Sequence, residues 1–205
     1  MRRRGFTIIE LLLVIGILAI LMSLVMVTAS GSIKAARTKK AMAIKQVVEL
    51  GFNSYYAQKR QWPGTFGKMV LNGLERKAND LGINGQNVPD LYYLEPRVPS
   101  DNKLIHEMIR ELVIESHGGN TLVDVSGLFV STSDGNKHDK KRGRDFVDAI
   151  RGTKQNPKKM RVSEMNFGYP DPGTGFFRCF DVIYNMSSDQ IMVLMQDEFK
   201  DVKYD

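Results

Sequence analysis

Cysteine, tryptophan and histidine are scarce in this chain of 205 residues, which contains one Cys, one Trp and three His. The single cysteine, Cys179, excludes an intrachain disulfide, and in a run rich in phenylalanine we expect it to be a buried, small apolar residue. His106, His117 and His138 lack the spacing of a zincin helix or of another zinc site, so we interpret them as surface residues. No nucleophile elbow or phosphate-binding glycine loop is present, and we predict that the protein is not an enzyme.

Charge is absent from the stretch Leu11–Ile33. As a helix rising about 1.5 Å per residue, this stretch would reach about 35 Å and cross a hydrocarbon core of about 30 Å. Glu10 opens the apolar run, and three arginines stand at positions 2–4. A charged side chain inside a membrane costs roughly 2.5 to 3.5 kcal/mol on insertion scales, so we expect Glu10 to have a partner.

The basic run ending at Gly5, followed by Phe6 and by an acid at Glu10, resembles the class III signal of type IV prepilins and type II secretion pseudopilins. This resemblance implies that a prepilin peptidase cleaves after Gly5 and N-methylates Phe6. It also implies that Glu10 pairs with the Phe6 amine of a neighbouring subunit during assembly.

The same resemblance implies a function, partners and a location. The chain would be a structural subunit of a type II secretion pseudopilus or a type IV pilus-like filament, polymerised through its N-terminal helix with copies of itself and other pilin-like subunits. An inner-membrane assembly platform would extract it from the bacterial inner membrane. The arginines at 2–4 favour a cytoplasmic N-terminus and a periplasmic head, although basic residues at 34–40 flank the other end of the span.

Other interpretations stay open. An ordinary secretory signal would place a small-residue cleavage site at Val27-Thr28-Ala29. A plain single-pass anchor explains the apolar run but leaves Glu10 and the Gly5-Phe6 junction unexplained. The alternative functions are accordingly a membrane-anchored periplasmic binding or catalytic domain, or a DNA-uptake pilin.

The helical pattern continues beyond the apolar run. Apolar residues recur at three-to-four-residue spacing as far as Tyr55, and no proline precedes Pro63, so we predict one helix from Phe6 to about Arg60, roughly 80 Å long. Tyr55–Gly64 also resembles the end of this helix in major pseudopilins. The predicted organisation is a leader at 1–5, a transmembrane or filament-core helix at 6–33, its continuation at 34–61 and a globular head at 62–205.

The head is predicted to be α+β and pilin-like, with an antiparallel sheet on the C-terminal half of the long helix. Helical spacing indicates a helix between Asp101 and His117. Segments rich in Val, Ile and Phe predict strands within Leu122–Val130, Gly175–Tyr184 and Gln190–Met195. The residues between the last two segments have the length of a hairpin loop.

Two charged regions are candidate binding sites. The basic run comprises Lys137, Lys140, Lys141, Arg142 and Arg144; it is typical of a solvated loop, with an acidic or nucleic-acid partner as the alternative. Loss of the three leader arginines would lower the formal charge from +6 to about +3, so we predict no nucleic-acid partner.

The acidic residues near the C-terminal strands are Asp181, Asp189, Asp197, Glu198 and Asp201. Some major pseudopilins hold calcium in this region, and oxygen ligands suit that ion. The spacing of these residues matches no calcium loop, so they are weak metal candidates and no cofactor is predicted.

Overall fold

A computed structural model describes residues 7–74, 91–119, 122–132, 143–152, 154 and 158–195; the side chains at 25–29 and 117 are outside this description. The described chain begins with one long helix, α1 (Ile8–Lys59), of 52 residues. At 1.5 Å per residue this helix is about 78 Å long. The single long helix predicted from the sequence is therefore confirmed over its described part.

Helix α1 ends at Lys59, and the next residue has a left-handed backbone conformation. Arg60 adopts the left-handed conformation with φ 56°, and its N–H donates to the Tyr56 carbonyl at 2.8 Å. This arrangement satisfies one of the last helical carbonyls, and Pro63 then prevents continuation of the helix. The break at Trp62-Pro63 that the sequence predicts is thus confirmed in position.

The head consists of short helices and strands. The helices are α2 (Gly64–Leu71), α3 (Pro99–His117) and α4 (Phe146–Arg151), with a 3₁₀ turn at Val162–Glu164. The strands are β1 (Leu91–Leu94), β2 (Phe129–Ser131), β3 (Arg144–Asp145), β4 (Asn166–Pro170), β5 (Phe177–Arg178), β6 (Asp181–Asn185) and β7 (Gln190–Leu194).

The strands form two antiparallel sheets. One has the order β1-β6-β7 and the other β3-β2-β4-β5. In the first sheet, β6 and β7 form a hairpin whose register runs from Asp181 opposite Leu194 to Asn185 opposite Gln190. The predicted α+β class, hairpin and antiparallel pairing are confirmed.

Two of the predicted strand segments needed correction. In Leu122–Val130 only the last two residues are in a strand, β2, which extends to Ser131. Gly175–Tyr184 contains two strands: β5 pairs with β4 in one sheet, while β6 pairs with β1 and β7 in the other. The chain passes from one sheet to the other between Arg178 and Asp181, and this long-range pairing is not visible in the local composition.

The core is built on the second half of α1. Its buried residues Ala41, Ile44, Val48, Phe52 and Tyr55 recur every three or four positions and are at most 3% exposed. They pack with α3 and with both sheets. Burying each large apolar side chain contributes roughly 1.5 to 3 kcal/mol, so this stripe fixes the head onto the helix.

The first half of α1 has no such cover. Large apolar side chains from Ile8 to Leu24 are 48% to 81% exposed. No helix within the described ranges is both long enough and apolar enough to cross a membrane. The span predicted at 6–33 is therefore not confirmed; it also includes Phe6 and side chains at 25–29, which lie outside the described residues.

Candidate functional site

Thr7 and Glu10 form a reciprocal pair at the start of α1. The Glu10 carboxylate oxygen Oε2 accepts hydrogen bonds from the Thr7 backbone N–H and from the Thr7 hydroxyl, each at 2.9 Å. In return, Thr7 Oγ1 accepts from the Glu10 backbone N–H at 3.3 Å. This is a capping box, which satisfies N–H groups that the first turn of a helix leaves without partners.

The geometry leaves part of the Glu10 carboxylate available. Glu10 is exposed, and its second oxygen, Oε1, has no hydrogen-bond partner among the described residues. A carboxylate near a helix N-terminus is also favoured by the helix dipole. Glu10 is therefore held in one orientation by Oε2 while Oε1 can accept from a cation.

The sequence analysis singled out Glu10 but missed Thr7. The signal was present, because Thr7-Ile8-Ile9-Glu10 matches the spacing of a capping box just before an apolar run. Gly5 and Phe6, the predicted processing residues, lie outside the described residues. The structure thus places one of the predicted assembly residues, Glu10, and adds the residue that orients it.

The surface after Glu10 is apolar on every side of the helix. Consecutive residues turn by about 100°, so the exposed positions Leu11, Leu12, Leu13 and Val14 point in four directions that together surround the helix. A helix that is hydrophobic all round requires an apolar environment. This segment therefore needs lipid or other apolar helices around it.

Where α1 enters the head, polar contacts tie it to the sheets. Arg37 Nη1 donates to the Gly173 carbonyl at 3.2 Å, and the Lys40 ammonium pairs with Asp145. Further along, the Val193 backbone N–H donates to Glu49 at 3.1 Å. Because Arg37 already contacts the head and the large apolar residues from Ile8 to Leu24 are exposed, the exposed and head-bound parts of α1 meet between Leu24 and Arg37.

Asp189, a weak metal candidate, instead joins the end of α1 to the β6–β7 turn. Its carboxylate accepts from Tyr56 OH, from Trp62 Nε1 at 3.0 Å and from Tyr184 OH at 2.7 Å. Burial opposes the charge, but hydrogen bonds from Tyr56, Tyr184 and Trp62 more than compensate and lower the pKa of Asp189. Neutral donors therefore occupy the carboxylate.

Asp181, the other described metal candidate, lies at the far end of β6. It is 4% exposed, and Oδ1 accepts from Tyr93 OH at 2.6 Å, while Oδ2 is buried without a hydrogen-bond partner among the described residues. Burial raises the pKa of Asp181 to about 6. Within the described ranges no group of three or more His, Cys, Asp or Glu side chains is placed to hold a metal. Asp197, Glu198 and Asp201 lie outside those ranges.

His106 corrects the sequence interpretation, because it is 2% exposed rather than a surface residue. Its Nδ1 accepts from the Phe167 backbone N–H at 3.2 Å, so the neutral ring carries its proton on Nε2, 3.7 Å from Cys179 Sγ. Burial lowers the pKa of His106 to about 3 and raises the pKa of Cys179 to about 12. An uncharged imidazole beside a protonated thiol is a packing contact, unlike the thiolate of a reactive cysteine.

The predicted basic run is placed only at its end. Arg144 is described, and its Nη2 donates to the Lys158 carbonyl at 3.1 Å. The residues Lys137, Lys140, Lys141 and Arg142 lie outside the described residues. The interpretation of this run as a solvated loop stays a prediction.

Comparison with known proteins agrees with the features at the N-terminus. Residues 1–26 match the family model described as the prokaryotic N-terminal methylation motif. No curated protein and no solved structure matches the chain. The matched segment contains Gly5, Phe6, Thr7 and Glu10 and extends into the apolar half of α1. The chain thus carries the prepilin-type signal of type IV pilins and pseudopilins.

Proposed function

We propose that the protein is a structural subunit of a type II secretion pseudopilus or of a type IV pilus-like filament. The observation that carries this proposal is the methylation motif at 1–26, which extends into the exposed apolar first half of α1. A prepilin peptidase would cleave after Gly5 and methylate Phe6. The subunit would then polymerise with copies of itself and with other pilin-like subunits.

The exposed Glu10 carboxylate supplies the charge that directs assembly. After cleavage, Phe6 carries an α-amine with a reference pKa of about 7.7 to 8.0 and is largely cationic at neutral pH. The unoccupied Glu10 Oε1 would accept from this amine on a neighbouring subunit. Because an unpaired charge among apolar helices is costly, a subunit at the wrong height would be disfavoured.

The secretion pseudopilus is the first choice of machine, and a pilus for adhesion, motility or DNA uptake is the second. In either, an inner-membrane platform would extract the subunit, with its N-terminus cytoplasmic and its head periplasmic. A membrane-anchored binding domain that never polymerises is the rival. The absence of a reactive geometry at Cys179 and His106 favours a structural function.

Maturation is tested by co-expression with a prepilin peptidase and mass spectrometry of the N-terminus. We expect a chain that begins with N-methylated Phe6, and we expect Gly5→Arg to block cleavage because a bulky cation replaces the small residue at the scissile bond. A mature chain that began at Ser30 would instead identify an ordinary secretory signal.

Polymerisation is tested by counting sheared filaments from cells that express wild type, Glu10→Gln or Glu10→Leu at matched membrane levels. Gln keeps the shape and hydrogen-bonding capacity but removes the negative charge, so we expect few filaments from either variant. Glu164→Gln, which removes an exposed charge from the head, is the matched control. Equal filament yield from all four proteins would refute the proposed pairing.

A further inference from the structure

A cavity of about 490 Å³ opens on the head beside the end of α1. Its walls come from the segment that leaves α1, from α2, from one face of α3 and from the 3₁₀ turn. Cavities of this size hold small molecules or a few residues of a peptide. The methylation motif lies at the opposite end of α1, so this cavity is separate from the assembly site.

Two cations line the cavity. The Lys68 side chain on α2 is exposed and has neither a hydrogen bond nor an ion pair with another described residue. Arg110 on α3 is half-buried, and its Nε donates to the Met165 carbonyl at 3.1 Å. This bond fixes the guanidinium in the wall, while its two terminal nitrogens have no partner in the described part of the chain.

The acids in the same wall have other partners. Glu111 accepts from Tyr55 OH and from the Gly64 backbone N–H. Glu107 Oε1 lies 3.9 Å from the Lys103 ammonium. Both oxygens of Glu111 are thus used within the fold, whereas the terminal nitrogens of Arg110 and the ammonium of Lys68 have no partner among the described residues and can bind an external anion.

An apolar surface adjoins these cations. Ile114 on α3 is 56% exposed and lines the cavity, so it offers an apolar side chain beside the two cations. Trp62, which also lines the cavity, is fixed by stacking on Tyr56 at 4.5 Å between ring centroids and by its bond to Asp189. The cavity therefore combines fixed apolar walls with two available positive groups.

We propose that this cavity binds an acidic peptide segment of a partner protein. A carboxylate side chain of the peptide would accept from the terminal nitrogens of Arg110 and from Lys68, and a neighbouring apolar side chain would cover Ile114. An arginine guanidinium with two free nitrogens matches the two oxygens of a carboxylate. A free inorganic phosphate would leave the apolar wall uncovered, so the combination favours a peptide.

Binding is tested on the full chain in detergent micelles with the synthetic tetrapeptide acetyl-Leu-Asp-Glu-Leu-amide. Trp62 is the single tryptophan and lines the cavity, so its fluorescence reports occupancy directly, and calorimetry gives the affinity. We expect saturable binding that weakens with added salt. The uncharged peptide acetyl-Leu-Asn-Gln-Leu-amide and inorganic phosphate should each bind at least about tenfold more weakly.

Two variants locate the site. Lys68→Gln removes a charge that has no partner among the described residues, so it should leave folding intact and lower the affinity about tenfold or more. Arg110→Lys keeps the charge but loses the two-nitrogen contact, and it should also weaken binding. Lys39→Gln is the charge-matched control, because Lys39 lies on α1 outside the cavity. The proposal is overturned by absent binding, by equal binding of the uncharged peptide or of phosphate, or by an affinity that Lys68→Gln does not change.

Discussion

The Thr7 hydroxyl and the Glu10 carboxylate bond to each other across the first turn of α1, at 2.9 Å between Thr7 Oγ1 and Glu10 Oε2. The contact uses one carboxylate oxygen and leaves the other available. The residue proposed to pair with a neighbour is thus already oriented by its own chain. Assembly would then add a hydrogen-bond donor to Glu10 Oε1 without breaking the capping contacts at the start of α1.

The capping contact predicts the behaviour of a Thr7 variant. Thr7→Val keeps the branched shape but removes the oxygen that accepts from the Glu10 N–H, and loss of such a cap costs about 1 kcal/mol. We expect faster hydrogen exchange of the backbone N–H groups in the first turn of α1, measured by mass spectrometry in micelles. Thr7→Ser retains the oxygen and should behave as wild type. If the valine and serine variants exchanged alike, the capping box would not stabilise this helix end.

The hydrogen bonds between Asp189 and residues at the end of α1 predict that a substitution of Asp189 lowers the stability of the head. Asp189 has φ 50°, a left-handed conformation that asparagine tolerates, so Asp189→Asn tests the carboxylate without backbone strain. The variant weakens charge-assisted bonds from Trp62 and Tyr184, and we expect a loss of about 1 to 2 kcal/mol after allowance for solvent exposure. Urea unfolding followed by Trp62 fluorescence measures the change.

A double-mutant cycle supplies the control for this contact. Tyr184→Phe removes one of the donors to Asp189, so its effect should shrink when Asp189→Asn is already present. Strictly additive effects of the two changes would contradict a direct coupling. The lowered pKa of Asp189 also sets the direction in which stability changes with pH. The contribution of Asp189 to the free energy of unfolding is present above the unfolded pKa of about 3.9, and it is lost as the pH falls through the lower pKa of the folded chain.

The raised pKa of Asp181 predicts that its contribution to stability depends on pH in the opposite direction. Burial raises its pKa to about 6 in the folded chain, against about 3.9 in the unfolded chain, so the folded state binds the proton more tightly. Its contribution is complete below about pH 4 and is lost as the pH rises through about 6. A difference of about two pKa units corresponds to roughly 3 kcal/mol between pH 4 and pH 7.5.

Asp181→Asn isolates this effect. The amide keeps an acceptor for Tyr93 OH but carries no charge, so the variant should be more stable than wild type at pH 7.5 and have no advantage at pH 4. Urea midpoints at several pH values, read from Trp62 fluorescence, give the comparison. Parallel pH profiles for the two proteins would show that Asp181 does not titrate in this range.

The elements that the sequence predicted best are those with a strong local pattern. Helix α1 follows from a long 3.6-residue period without proline, and the β6–β7 hairpin follows from two apolar segments around a polar turn. Strand β4 was missed because all its residues are buried, which removes alternation, and because Gly168 and Pro170 argue against a strand. The glycine is needed there, since a side-chain carbon on Gly168 would lie 1.9 Å from the Arg178 carbonyl oxygen.

In the candidate sites, too, the sequence indicated the residues with a local pattern and missed the contacts that depend on the fold. Glu10 was recognisable because a charge beside an apolar run is a local anomaly, and Thr7 was readable from its spacing to Glu10. The contact between Trp62 and Asp189 joins positions 127 residues apart, and only the fold brings them together. The cavity between α2 and α3 likewise depends on tertiary packing, so no sequence pattern indicated its two cations.

The different burial of the two halves of α1 predicts where the chain can be shortened without loss of stability in the head. The apolar surface from Ile8 to Leu24 is exposed, whereas Arg37 contacts the head and one face of α1 is buried at intervals of three or four residues from Ala41 to Tyr55. A chain that begins at Lys34 should therefore be soluble and monomeric without detergent. Its free energy of unfolding in urea should match that of the full chain in micelles within about 1 kcal/mol, because it retains Arg37, Lys40 and the buried residues of α1 that pack in the head. A chain that begins at Gln46 is the comparison. It lacks Ala41 and Ile44 from the core, and losing buried apolar side chains of this kind costs several kcal/mol in total, so its unfolding should occur at a much lower urea concentration.

Gel filtration, circular dichroism and Trp62 fluorescence measure association, helix content and stability in one preparation. Equal stability of the two shortened chains, or aggregation of the one that begins at Lys34, would show that the head does not rest on the second half of α1 in this way.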